Sequence, residues 1–425
     1  MANETITAAK GFLASGVKCG IKKSGKHDLG LIVCPAGAMA AAVFTTNKIT
    51  SAAVQVSKKH IENVAVYGVV VNSGNANACT GERGLKNAIK MCAETASALT
   101  EMLRTKWPQT DVLQTVPYKS RDILVASTGI IGEQMPMKKV IAGIKKAAVE
   151  LSNSKTAGMN FTKAIMTTDT KAKTACRRIK ISGKKVTIAG TTKGAGMIGP
   201  NMATTLCFIT TDVMIKESLL SESLKSAIGD SLNKLTVDGH QSTNDTAIIL
   251  TSCGAGNKAI TSQDSSYKKF AAALIDLCQD LAKQMALDAE GATRIFKVII
   301  TGAASRAEAA KAARAVADYD LVKCAVHGGD PNWGRIICAV GSSGVKLNPQ
   351  KVSCKLDDPS TSLRAGLTVF KNGAPTDFDR KKASKIVSQK SHTITVDLGV
   401  GKCSDFCVGC DLSKGYVTIN ADYHT

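Results

Sequence analysis

Aromatic side chains are scarce in this chain. Phe, Tyr and Trp make up 4% of 425 residues, so the core has to be built from Ala, Val, Ile and Leu. Histidine is scarce too, with six copies, and none stands in a compelling Ser-His-Asp or Cys-His order. No apolar run approaches the ~18 residues that would read as a membrane span. The start, Met1-Ala-Asn-Glu-Thr-Ile-Thr7, lacks both a charged segment leading into an apolar one and an Arg-rich amphipathic character. That predicts no signal or transit peptide and a cytoplasmic protein. The fourteen cysteines are scattered singly, which suits reduced thiols. Acidic residues are few: 34 Asp and Glu against 55 Lys and Arg leave a net charge of +21. Such a balance raises a nucleic-acid reading. The basic excess concentrates at 138–193, with fourteen Lys and Arg against Glu150 and Asp169. Phe161 is the one aromatic there, so base-stacking residues are missing. A solvated basic surface that attracts anionic substrates fits better.

What is present points to a layered fold. Apolar residues supply 44% of the chain and charged ones 21%, enough for a substantial core. Helical faces recur at Leu85, Ala88, Ile89, Cys92, Ala96, Leu99 and Leu103, at Val140, Ile141, Ile144, Ala148 and Leu151, and at Phe270, Leu274, Leu277, Cys278, Leu281 and Met285. The Ala-rich stretch 303–317 is a further helix candidate. Strands are predicted over 64–71, 123–125, 206–210, 247–250, 296–300, 336–340 and 393–398. This alternation gives an α/β or α+β protein rather than a bundle or an all-β sandwich. The basic stretch 171–185 is the expected exposed connection.

The middle of the chain carries the chemistry. Lys193-Gly-Ala-Gly-Met-Ile-Gly-Pro-Asn-Met-Ala-Thr-Thr-Leu206 joins a Gly-rich loop to an apolar, strand-like run. A hydroxyl at such a junction can attack the preceding peptide bond. The cut would leave a threonine whose new α-amine can serve as general base for its own hydroxyl. An α-amine has a pKa of roughly 8, so part of it is free at neutral pH. Either Thr204 or Thr205 could play this part. In Ala126-Ser-Thr-Gly-Ile-Ile-Gly132, the Thr128 hydroxyl and the Gly129 N–H could form an oxyanion hole, each donor worth ~3 kcal/mol.

Together with Phe44-Thr-Thr-Asn47, Val71-Asn-Ser-Gly-Asn-Ala-Asn-Ala-Cys-Thr-Gly81, Ile165-Met-Thr-Thr-Asp-Thr170, Ser242-Thr-Asn-Asp-Thr246, Asp288-Ala-Glu-Gly-Ala-Thr293 and the end Tyr416-Val-Thr-Ile-Asn-Ala-Asp-Tyr-His-Thr425, these blocks resemble, in order, the ornithine acetyltransferases, which are glutamate N-acetyltransferases of arginine biosynthesis. The resemblance implies stacked sheets flanked by helices in an N-terminal-nucleophile-like, self-cleaving fold. It puts the cut between Ala203 and Thr204, giving an α chain, 1–203, and a β chain, 204–425. Thr204 becomes the nucleophile, with Thr128 and Gly129 as oxyanion hole. Thr167 (or Thr168), Lys193, Thr204, Glu290, Asn420 and Thr425 become substrate-binding positions. Thr205 stands where the family is usually apolar. The implied reaction moves acetyl from N2-acetyl-L-ornithine to L-glutamate by a ping-pong route, with acetyl-CoA as co-substrate if the enzyme is bifunctional. No metal or cofactor is implied, and the fragments would assemble as two α and two β chains.

Two rivals remain at this point: an N-terminal-nucleophile aminopeptidase of related fold, and an uncut basic nucleic-acid binder. Asp330-Pro-Asn-Trp-Gly-Arg335 reads as structural support near the site. Cys403, Cys407 and Cys410 have the spacing of an iron–sulfur ligand set but lie at the wrong end of the chain; coincidence is the expectation.

Overall fold

The computed structural model describes residues 4–63, 65–106, 117–199, 205–357 and 366–422. The organising element is β2, a 16-residue strand at Leu29–Phe44. Its first half pairs with β1 (Leu13–Val17) and β3 (Val66–Asn75). Its register with β3 shifts between Val33 and Ala38, and its second half pairs with β8 (Thr246–Thr251). Beyond β3 lies β4 (Ile123–Ile130), parallel to it. Beyond β8 come β7 (Leu206–Thr211), β6 (Lys184–Lys193) and β5 (Lys173–Ile181).

The two halves of this eight-stranded sheet pack face to face. Val69, Val71, Leu124 and Ala126 from one half meet Leu206, Phe208, Ile248 and Leu250 from the other. The alternate residues point outward. Val70, Ile123 and Val125 pack with α1 (Ala52–His60), α2 (Gly81–Lys106) and α3 (Met137–Val149). Cys207, Ile209, Ala247 and Ile249 pack with α5 (Glu217–Gly229) and α6 (Ser265–Leu287). Strands buried on both faces read as continuous apolar runs, which is why 123–126 and 206–209 show no polar alternation. The result is a helix–sheet–sheet–helix sandwich, as the sequence implied. Helix α4 (Lys155–Ile165) adds Phe161 and Ile165 to the inner layer.

A second sheet of six strands follows. It contains β9 (Ile295–Ala303), β10 (Ser353–Asp357), β11 (Leu367–Lys371), β12 (Ala374–Pro375), β13 (Ser391–Asp397) and β14 (Cys403–Cys410). Helices α7 (Arg306–Asp318), α9 (Trp333–Ser342) and α10 (Arg380–Val387) share its core. The short α8 (Asp320–Gly328) adds Val322 and Val326 to the same core, and α11 (Lys414–Asp422) packs Tyr416 against the core of the first unit.

Two expectations are corrected. The run 336–340 is helical, inside α9, where the Asn332 side chain caps the first turn; a short apolar run does not by itself distinguish strand from buried helix. The stretch 171–185 is no loose connection but β5 and the turn into β6. Within it Lys173 is 1% exposed and bridges Asp169 at 2.6 Å and Asp288 at 2.5 Å. Asp288 also accepts the Thr170 hydroxyl. Lys173→Met should therefore strand two buried carboxylates without a cation. Urea unfolding should show a loss of about 3–5 kcal/mol. An unchanged midpoint would make this cluster a bystander.

Candidate active site

A cavity of about 300 Å³ opens where the two halves of the first sheet and α11 converge. Its lining includes Thr128, Gly129, Thr167, Thr168, Lys193, Glu290 and Asn420, together with Thr205 and Leu206. Residues widely separated in sequence thus meet in one place. Ala203, Thr204 and Thr425 lie outside the described residues.

Each wall has a structural cause. Thr128 and Gly129 sit at the end of β4, where Gly129 pairs with Gly74 of β3. Gly129 has φ +131°, and a Cβ there would collide with the Gly74 backbone, so glycine is required. Asn244 fixes this corner by donating from Nδ2 to the carbonyls of Ala76 and Ser127, both at 2.7 Å.

The opposite wall is electrostatic. Lys193, at the end of β6, donates to Thr167 Oγ1 at 3.2 Å. Burial lowers its ammonium pKa against the pull of Asp169, Asp245 and Glu290. Asp169 accepts from Lys173 and from the N–H groups of Thr167 (2.9 Å) and Gly194 (2.8 Å). Burial alone would raise Asp169, but Lys173, Lys193 and these donors hold it below its ordinary value. Glu290 accepts from Thr168 Oγ1 at 2.5 Å and from Asn420 Nδ2 at 2.9 Å, and its own N–H donates to Ala195 O at 2.9 Å. A Cβ on Gly196 would fall on the Glu290 carboxylate, so that glycine leaves room for the acid.

A buried aspartate absent from the site assignments above shapes the Gly-rich loop. Asp238 accepts from the N–H groups of Met197 at 2.7 Å and Ile198 at 2.9 Å, and from the Tyr416 hydroxyl at 3.0 Å. These bonds hold Met197 at φ +53°, an uncommon conformation for a side-chain-bearing residue. The loop carrying Asp238 is itself anchored by the buried Lys323 of α8. Lys323 Nζ donates to the carbonyls of Val237 and Cys410.

The side chain of Thr205 is tied to β6. Its hydroxyl is buried, 2.9 Å from the Thr192 hydroxyl, and also bonds to the Lys193 carbonyl. It is spent on the β6–β7 pairing.

The chain matches the ArgJ family model over residues 13–425. The chain belongs to the ArgJ family. It is similar to the arginine biosynthesis bifunctional protein ArgJ of Symbiobacterium thermophilum, with 41% identity over 422 residues, covering 99% of this chain and 98% of that one. The ArgJ protein of Geobacillus kaustophilus is 40% identical over 426 residues, covering 100% of this chain and 97% of its relative. A crystal structure of the ArgJ protein of Bacillus halodurans shares 37% identity and covers 51% of this chain and 98% of its own, with a TM-score of 0.47.

Two further motifs fall outside the cavity. No residue of Asp330–Arg335 lines it; Asn332 instead caps α9. The strand pleat separates the cysteines. Cys407 points into the core of the second sheet, with Cys403 packed against it, whereas Cys410 points into the core of the first unit. Burial pushes the Cys407 thiol up to about 12 and the Cys410 thiol up to about 11, opposite to what thiolate ligands need. Cys403→Ser should leave turnover within about twofold, because its side chain lies outside the cavity. Cys407→Ser should act on stability instead, by about 1–3 kcal/mol for a buried hydroxyl. One equivalent of iron or zinc per chain, lost in these variants, would reverse this reading.

Proposed function

We propose that the protein moves the acetyl group of N2-acetyl-L-ornithine to L-glutamate through an acetyl-threonine at Thr204, after self-cleavage between Ala203 and Thr204. The observation that carries this reading is the convergence of Thr128, Gly129, Thr167, Lys193, Glu290 and Asn420 on one cavity. Thr205 and Leu206, which follow the cut, line the same cavity. Membership of the ArgJ family and the names of its relatives support the same activity.

The roles follow from charge and position. Lys193 suits the substrate carboxylate as a point charge. Glu290, with Thr168 and Asn420 holding its oxygens, suits the substrate ammonium. The α-amine of Thr204 takes the proton of its own hydroxyl, and Oγ attacks the acetyl carbonyl. The Thr128 hydroxyl and Gly129 N–H hold the oxyanion. Ornithine leaves as the amine, taking the proton back from the α-ammonium. The glutamate amine then attacks the acetyl carbonyl, its proton passing through the Thr204 α-amine to Oγ as the ester bond breaks, which releases N-acetylglutamate and regenerates Thr204. Acetyl-CoA can load the same threonine if the protein is bifunctional; no step here requires a metal or cofactor.

Pieces 1–203 and 204–425 would stay together after the cut. Strand β7 lies between β6 and β8, and β8 pairs with β2, so one sheet spans both pieces. Assembly as two α and two β chains and a cytoplasmic location belong to the same reading. Among the described residues, no helix is long and apolar enough to cross a membrane.

Purified protein should run as two bands on a denaturing gel, with a new terminus Thr-Thr-Leu-Cys. Thr204→Ala should stay whole. N-acetylornithine should add one acetyl group to the 204–425 piece, and glutamate should remove it. Thr128→Ala should lower kcat roughly a hundredfold, as loss of one oxyanion donor does, and Lys193→Ala should act mainly on KM. Initial rates with both substrates varied should give parallel double-reciprocal lines. Intersecting lines with an unacetylated fragment would sink the covalent route.

A further inference from the structure

We infer that Lys22 is a positioning residue of the wall that binds the substrate carboxylate: its ammonium holds the Met166 carbonyl and, through it, keeps Thr167 against Lys193; this rests on the binding roles proposed for Thr167 and Lys193.

Lys22 belongs to a loop gathered around one acid. The Asp28 carboxylate, fully buried, accepts the N–H groups of Cys19 at 2.7 Å, Gly20 at 3.0 Å, Ile21 at 2.7 Å and Lys22 at 3.0 Å. With its backbone fixed in this way, Lys22 sends Nζ to two carbonyls, His27 O and Met166 O, both at 2.7 Å. The first is local. The second is 144 residues away, on the residue that ends α4. Carbonyls at a helix end lack partners within the helix, and a lysine there satisfies one and meets the negative end of the helix dipole. Ser73 of β3 takes a neighbouring carbonyl, Ala164 O, at 2.5 Å. The end of α4 is thus pinned from two sides, and Thr167 follows directly.

Two further contacts place Lys22 at the joint between the halves of the cavity. Thr167 presents Oγ1 to Lys193 Nζ at 3.2 Å and donates its N–H to Asp169 at 2.9 Å. On the other side, the Lys22 stem covers Gly74: a Cβ on Gly74 would lie 2.9 Å from Lys22 Cγ. Gly74 in turn pairs with Gly129. One side chain therefore touches the backing of the oxyanion corner and the start of the carboxylate wall, although it does not line the cavity itself. Electrostatics agrees with this placement. Burial brings the Lys22 ammonium down to about 8; Asp28 and Asp169 pull it back up, and Lys193 and Lys26 push it down. Lys22 thus senses both Lys193 and the acid that holds Thr167.

The test follows acetyl loading of the 204–425 piece in a single turnover with N-acetylornithine varied. It compares wild type, Lys22→Met, Lys22→Arg, Thr167→Val and the double variant Lys22→Met/Thr167→Val. In Lys22→Met the half-saturating concentration should rise roughly tenfold, the scale of losing a hydrogen bond from a charged donor, with the maximal loading rate within about threefold. Lys22→Arg keeps a charged donor and should come back to within about threefold of wild type. In the Thr167→Val background, Lys22→Met should add less than about twofold, because positions that act through one another are not additive. An unchanged half-saturation in Lys22→Met, a loss confined to the maximal rate, or a fully additive increment in the double variant would overturn the inference. Should Lys22→Met not fold, Lys22→Gln, which keeps an amide donor without the charge, takes its place with the same expected and overturning outcomes. A wild type that loads acetyl, with a Thr167→Val that binds weakly, confines any such failure to Lys22. A wild type that acquires no acetyl removes the acetyl-threonine reading, and a Thr167→Val that saturates like wild type removes the carboxylate wall and this inference with it.

Discussion

The carboxylate–ammonium–carboxylate cluster of Asp169, Lys173 and Asp288 is the interaction on which the cavity depends. It joins three segments that otherwise have little reason to meet: the turn after α4, the start of β5 and the end of α6. Two of these segments deliver functional groups one or two residues away. The first carries Thr167 and Thr168, and the last carries Glu290. Through the Gly194 N–H, Asp169 also fixes the residue after Lys193. A buried lysine with two carboxylates is a costly device if any member is left unpaired. What it supplies is registration: four polar side chains are held within reach of one small ligand.

The opposite side of the cavity uses the same logic with different atoms. Asp238 captures two consecutive backbone N–H groups of the Gly-rich loop, and Lys323 captures the carbonyl of the residue before Asp238. Since Lys323 stands on α8, beside the second sheet, that sheet does more than enlarge the molecule. It sets the position of the Gly-rich loop after Lys193. Asp411 completes the connection by accepting from the backbone of Thr293 and Arg294, both at 2.8 Å, and from His327 at 2.7 Å. These bonds pin the segment just after Glu290.

Such a design explains why glycines crowd the site. Gly129, Gly196 and Gly291 each stand where a Cβ would strike backbone or carboxylate: Gly74, Glu290 and Tyr416 respectively. Close approach of segments, more than flexibility, is what these positions require.

The sequence by itself determined the layered class, most strands, the long helices and the order of the motif blocks. Local apolar periodicity and turn chemistry act over a few residues and can be read along the chain. It also picked out Thr128, Gly129, Thr167, Lys193, Glu290 and Asn420 through the resemblance, and the fold gathers all six around one cavity. Tertiary structure alone decided the rest. Residues 336–340 became helix because an Asn cap and a helical neighbourhood overrode an ambiguous apolar run. Lys173 lay hidden in a basic stretch because burial depends on two aspartates, one of them 115 residues away. Cys407 and Cys410 were parted by the pleat of one strand. Asp238 stood outside the quoted motif blocks and without a role, since the backbone groups that partner its carboxylate leave no side-chain pattern. Long-range pairing of charges and backbone donors is settled only when the layers close.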